Sequence, residues 1–174
     1  MMRYPEIIAL AYCGNGPEKL AKAETLYDQY GEKLLADEHI RKSLTALKKA
    51  VTALDSQMTA MEMGKNCSAC AATVNGGCCS AYMGHENNDV LQLLMNLLAG
   101  IVVKCVRDDD IECCFLAEQG CLLLFKPIFC LNYLCERIRT ESTTKELAGL
   151  EKRTGDLLRT QVAFEGMLIS VLQK

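Results

Sequence analysis

The chain contains no tryptophan, few aromatic residues and only three prolines in 174 positions. A sandwich or barrel core draws on aromatic and β-branched residues in alternating runs, and no segment here alternates that way, so an all-β core is not expected. A surplus of positive charge is missing as well. The formal net charge is −3, and no run of Lys and Arg is interleaved with aromatics, so nothing draws in a phosphate backbone and no nucleic-acid partner is expected. The most apolar block, VLQLLMNLLAGIVV from Val90 to Val103, would reach about 21 Å as a helix, short of a hydrocarbon core of about 30 Å. Gln92, Asn96 and Gly100 recur every four residues along one side of it. It reads as a buried helix, and no membrane partner is expected.

Targeting signals are also lacking. The apolar run Ile7 to Tyr12 follows Pro5 and Glu6, and bulky Tyr12 precedes Cys13 where a cleavage site calls for a small residue. A cytoplasmic, reducing setting is expected, in which clustered cysteines suggest metal before disulfides. No Ser-His-Asp order, HExxH or phosphate-cradling glycine loop is present, which leaves open whether the chain is an enzyme.

Leu, Ala, Met, Lys and Glu dominate what remains, and they favour helix. Pro17 and Glu18 open one helix, in which Leu20, Ala23, Tyr27, Tyr30 and Leu34 recur at three and four. Asp37 caps the next, with Ile40, Leu44, Leu47, Val51, Leu54, Met58 and Met61 inward. Residues 17–63 are predicted to form an antiparallel helical hairpin ending near Gly64. Residues 67–135 form a cysteine-rich core: a loop as far as Asn88, a buried helix over 89–103, and an acidic turn at Asp108 to Asp110. Thr143 and Glu146 then make a capping box for a C-terminal helix over 143–174. The expected fold is all-α, one domain over 1–174: a bundle of four to five helices with two irregular cysteine-rich loops meeting in a metal site.

The chemistry lies in eleven cysteines, nine of them in two short segments. CSACAATVNGGCC carries Cys67, Cys70, Cys78 and Cys79, and CCFLAEQGCLLLFKPIFCLNYLC carries Cys113, Cys114, Cys121, Cys130 and Cys135. Soft thiolates on short turns suit zinc and iron-sulfur clusters, and Cys67-Ser-Ala-Cys70 lets two sulfurs converge on one metal. The candidate metal ligands are Cys67, Cys70, Cys78, Cys79, Cys114, Cys121, Cys130 and Cys135. Eight thiolates fit two tetrahedral sites, or one cluster with spare thiols, and the spacing is compatible with both. Cys105 reads as core, Cys113 as an extra thiol beside the site, and His85 as a solvated residue that could complete a sphere of three thiolates. The acidic turn reads as solvated.

Cys114, Phe115, Leu116, Gly120, Cys121, Lys126, Pro127, Cys130, Tyr133 and Cys135, together with the C-x2-C and the adjacent Cys78-Cys79, follow an ordered pattern. In this the segment from Cys67 to Cys135 resembles a bacterial zinc- or iron-chelating cysteine-cluster domain family. The resemblance implies metal binding through these thiols, with zinc or an iron-sulfur cluster as the cofactor in a structural, sensing or electron-transfer role. A metal ion is therefore the expected partner, and Met58, Met61 and Met63 near the first cluster offer an adaptable surface for a protein partner. Two alternatives are a redox or cluster-maturation enzyme using surplus thiols, and a metal-free helical scaffold closed by disulfides.

Overall fold

The computed structural model describes residues 3–71, 78–107 and 111–173. The middle of the Cys70 to Cys78 loop and the acidic turn Asp108 to Asp110 lie outside the described residues. The fold is all-α: α1 (Tyr4–Tyr12), α2 (Gly16–Ala36), α3 (Glu38–Ala60), α4 (Met63–Ala71), α5 (Ala81–Asn87), α6 (Val90–Leu98), α7 (Ile128–Asn132), α8 (Glu136–Glu141) and α9 (Thr144–Leu172). One small hairpin, β1 (Leu116–Ala117) and β2 (Gly120–Cys121), interrupts the helices, pairing Leu116 with Cys121 and Ala117 with Gly120. Strands two residues long are too short to produce an alternating pattern. Among the described residues no helix is long and apolar enough to cross a membrane.

The long helices start where local chemistry places them. Asn15 caps α2, its side chain accepting from the Glu18 N–H while Glu18 returns a bond to the Asn15 N–H. Asp37 accepts from the N–H groups of His39 and Ile40 to start α3. Thr143 and Glu146 form the reciprocal box of α9. Each such cap satisfies backbone donors that the first turn leaves without partners. The α3 stripe Ile40, Leu44, Leu47, Val51 and Leu54 is buried, and so are Leu150, Leu157, Phe164, Leu168 and Leu172 of α9.

The two predicted hairpin helices are consecutive, yet each finds its main partner elsewhere. α3 packs chiefly along α9 and α2 along α6, and the contact between α2 and α3 is much smaller. The cause lies in α6, whose Val90, Leu91, Leu93, Leu94, Met95 and Leu98 are nearly all inaccessible to solvent. A helix apolar on every side has to be surrounded.

α6 ends earlier than the apolar run suggests. The Ile101 N–H bonds to the Asn96 carbonyl and the Gly100 N–H to the Leu97 carbonyl, with Gly100 at φ +79°. This paired closure needs a left-handed residue that glycine adopts without strain. Lys48 of α3 adds a bond from Nζ to the Ala99 carbonyl at 2.8 Å. Residues 101–107 continue without regular structure.

The polar residues on α6 anchor the loop that carries the second cysteine segment. Asn96 Oδ1 accepts from the Phe125 N–H at 3.0 Å, and Asn96 Nδ2 donates to the Phe125 carbonyl at 2.9 Å. Gln92 Nε2 donates to the same carbonyl. Phe125 itself is fully buried. Replacing Asn96 by Leu keeps the volume and orphans the Phe125 N–H, at a cost of about 1–3 kcal/mol. A urea titration is expected to show that loss, and Cys121 and Cys130 should alkylate faster in the variant.

Half-buried Glu165 on α9 supplies a pH dependence. Burial, and then the nearby Asp89 carboxylate, push its pKa up to about 7. Between the ordinary value and about 7 the folded chain holds a proton that the unfolded chain has released, so stability falls as pH rises through that window. The amide of Glu165→Gln has no proton to lose. Its urea midpoint should exceed that of the parent at pH 8 and match it at pH 4.

Candidate metal centre

Three structural devices bring the cysteine segments together. The first is a break in the second long helix: Glu62 sits at φ +50°, and the chain restarts as α4. Cys67 and Cys70, expected in a loop, therefore stand on a helix, where residues three apart share a face. Gly, Ala, Ser and Asn around them read as loop, although nothing prevents one short helix of small residues when neighbours support it.

The second device is a close backbone approach. A Cβ built on Gly64 would meet the Gln119 carbonyl oxygen at 2.9 Å, and one on Gly120 would meet Gly64 Cα at 3.4 Å. Two glycines thus let α4 touch the tip of the hairpin that carries Cys121. The third is backbone pairing between the two segments: the Cys113 N–H bonds to the Cys79 carbonyl at 2.7 Å, and the Ala81 N–H to the Ile111 carbonyl at 2.9 Å. α5 follows, capped by Ser80, and is tied to α2 by Lys19, whose Nζ donates to the His85 carbonyl. Burial lowers the Lys19 pKa, against the opposing pull of Glu86 and Asp89.

Two neighbouring cavities result. One, of about 410 Å³, is lined by Cys67, Cys78, Cys79, Cys113, Cys121 and Cys130. The other, of about 580 Å³, is lined by Cys67, Cys70, Cys78, Cys79, Cys130 and Cys135. Seven of the eight predicted ligands therefore share one neighbourhood. Cys114 lies elsewhere: it is 7% exposed and its Sγ is 2.7 Å from Cys105 Sγ. The thiol that faces the cavities is Cys113, set against Gly84, where a Cβ would lie 2.7 Å from the Cys113 sulfur. Of this pair only Cys113 lines these cavities, and spacing alone does not say which of the two would.

His85 is also on the far side, lining a third cavity with Cys105 and Cys114. Cys13 is exposed. Glu112, next to the acidic turn, is buried and ion-paired with Arg107.

The thiols perturb one another. Burial, then the charges of Cys78, Cys135, Cys70 and Cys121, push Cys67 up to about 11. Burial raises Cys113 to about 11 and Cys130 to about 12, and it raises Cys121 against the pull of the Lys126 ammonium. Lys126 is held 3.6 Å from Asp55. Cys78 moves the other way, to about 7, because the Cys79 thiol donates to its sulfur, and the same bond holds the proton on Cys79. Thiols placed so that their ionised forms would oppose one another are an arrangement that a cation would relieve.

No disulfide links the described cysteines. Among the described residues, no group of three or more His, Cys, Asp or Glu side chains meets the geometry for gripping a metal ion as it stands. Zn–S bonds of about 2.3 Å place the sulfurs of a tetrahedral site about 3.8 Å apart, so loading calls for the cavity walls to draw in. Compared with family models, with curated proteins and with solved structures, the chain matches none. The likeness of Cys67 to Cys135 to a chelating family accordingly rests on its residues alone.

Gly64→Ala tests the contact that closes the site. The added methyl meets backbone rather than a flexible side chain, and such overpacking costs about 1–3 kcal/mol. Thermal unfolding should report the loss, accompanied by faster alkylation of Cys67 and Cys121.

Proposed function

We propose that this chain is a metal-binding protein holding zinc or an iron-sulfur cluster among Cys67, Cys70, Cys78, Cys79, Cys113, Cys121, Cys130 and Cys135. The observation that carries this reading is the convergence of thiols from α4, the α5 approach, the hairpin and α7 on two adjoining cavities. Core cysteines would be scattered among apolar contacts and not gathered around shared space. The metal centre would close two cysteine-bearing segments at one end of a helical bundle, in a reducing compartment such as the cytoplasm.

Bound zinc would supply a closed tetrahedral cross-link, and an iron-sulfur cluster a one-electron centre. The chain's own residues set the terms. Cys78, with the lowered pKa, gives up its proton most readily, whereas Cys67, Cys113, Cys121 and Cys130 hold theirs and must release them on loading. Cys67, Cys78, Cys79 and Cys130 border both cavities, so they would contribute whether one centre forms or two.

Protein purified without oxygen should carry zinc or iron near stoichiometry by elemental analysis, iron being accompanied by acid-labile sulfide and absorption near roughly 400 nm. Cys67→Ser and Cys130→Ser should each lower the metal content substantially. Cys114→Ser should leave it unchanged. Wild-type protein that carries no metal, takes up none when reduced, and shows every thiol reactive would overturn the reading.

A further inference from the structure

The thiols of Cys105 and Cys114 stand apart from the proposed metal centre. Their sulfurs are 2.7 Å from one another, about 0.7 Å longer than an S–S bond. The backbone holds them there: the Val106 N–H donates to the Cys114 carbonyl at 2.7 Å, and Arg107 Nε donates to the Leu116 carbonyl at 2.8 Å. The two residues thus sit on adjacent, hydrogen-bonded runs of chain, one before and one after positions 108–110 in the sequence. Glycine at position 16 leaves room for the buried sulfur, since a Cβ there would lie 3.1 Å from Cys114 Sγ.

The pair is also accessible from one side. Cys105, half-buried, and Cys114 line a cavity of about 370 Å³ together with His85, Arg107 and Glu112, within the usual size range of small-molecule sites.

We infer that Cys105 and Cys114 form a reversible dithiol–disulfide pair that is oxidised by a small-molecule disulfide entering this cavity. Cys105, the more exposed partner, attacks one sulfur of the incoming disulfide and displaces its first thiol. Cys114 then attacks the Cys105 sulfur in the mixed disulfide and displaces the second. One S–S bond is broken and one is formed. The two protein thiols lose two electrons to the incoming disulfide, and their two protons end on the two thiols released.

The experiment uses the full chain, freshly reduced, in graded mixtures of reduced and oxidised glutathione, followed by acid quenching, alkylation and tryptic mapping. The expected product joins residues 105–107 to residues 108–137, the Lys126–Pro127 bond resisting trypsin, about two mass units below the sum of the free peptides, and excess thiol reverses it. It should form at a lower oxidised-to-reduced ratio than the glutathione adduct on exposed Cys13. In Cys114→Ser the link should vanish and Cys105 should accumulate as the glutathione adduct. Cys105→Ser, at a half-buried position, removes the attacking sulfur and should abolish the link while leaving Cys114 unmodified, a second test should the first variant fold poorly. Three results would each overturn the inference: a stable glutathione adduct on wild-type Cys105, a link that persists in Cys114→Ser through Cys113, or loss of bound metal in Cys105→Ser.

Discussion

The hydrogen bonds between Asn96 and the backbone of Phe125 are the interaction on which the rest of this structure depends. A carboxamide inside an apolar helix is costly unless every donor and acceptor finds a partner. Here Asn96 Oδ1 and Nδ2 take up the N–H and carbonyl of one residue, and Nδ2 also donates to the Gln92 carbonyl. The most buried helix therefore grips the irregular loop at a single point. Cys121 lies four residues before that point and Cys130 five after it, and α9 holds the same loop through Gln161 Nε2 and the Lys126 carbonyl. The positions of the two thiols follow from a polar contact made in the core, not at the surface.

The same contact marks the boundary of what could be read from the sequence. Gln92 and Asn96 stood out by their regular spacing as a reason to doubt a membrane span, but their partner lay about thirty residues away. Caps at Asp37 and Thr143, and the inward stripe of α3 from Ile40 to Leu54, were legible because each depends on neighbours within one or two turns. The pairing of α3 with α9 and of α2 with α6 was not, since it depends on α6 being apolar all round and claiming the nearest helix. The early end of α6 at Gly100 was masked by the apolar residues beyond it.

At the candidate site, clustering identified seven of the thiols that the fold draws together, because two short segments hold most of the cysteines. The orientation of each thiol was not legible. Cys113 and Cys114 are chemically identical neighbours, and what separates them is a backbone bond to Cys79 on one side and a close sulfur at Cys105 on the other. The α4 helix was hidden by its own composition. Small residues read as loop, yet small residues are what permit Gly64 to meet the hairpin.

One peptide unit, that between Cys113 and Cys114, therefore forms a partition between two cavities of different character. On one side lie the clustered thiols; on the other lies a single close sulfur pair beside an ion pair. The two Cα atoms are about 3.8 Å apart, and the partition is held from both flanks, by the Cys113 N–H on the Cys79 carbonyl and by the Val106 N–H on the Cys114 carbonyl, while its own carbonyl accepts from the Leu116 N–H. A sulfur on either side can turn about its own Cα–Cβ bond without moving that peptide, so the chemistry of one chamber can change while the backbone wall of the other stays in place.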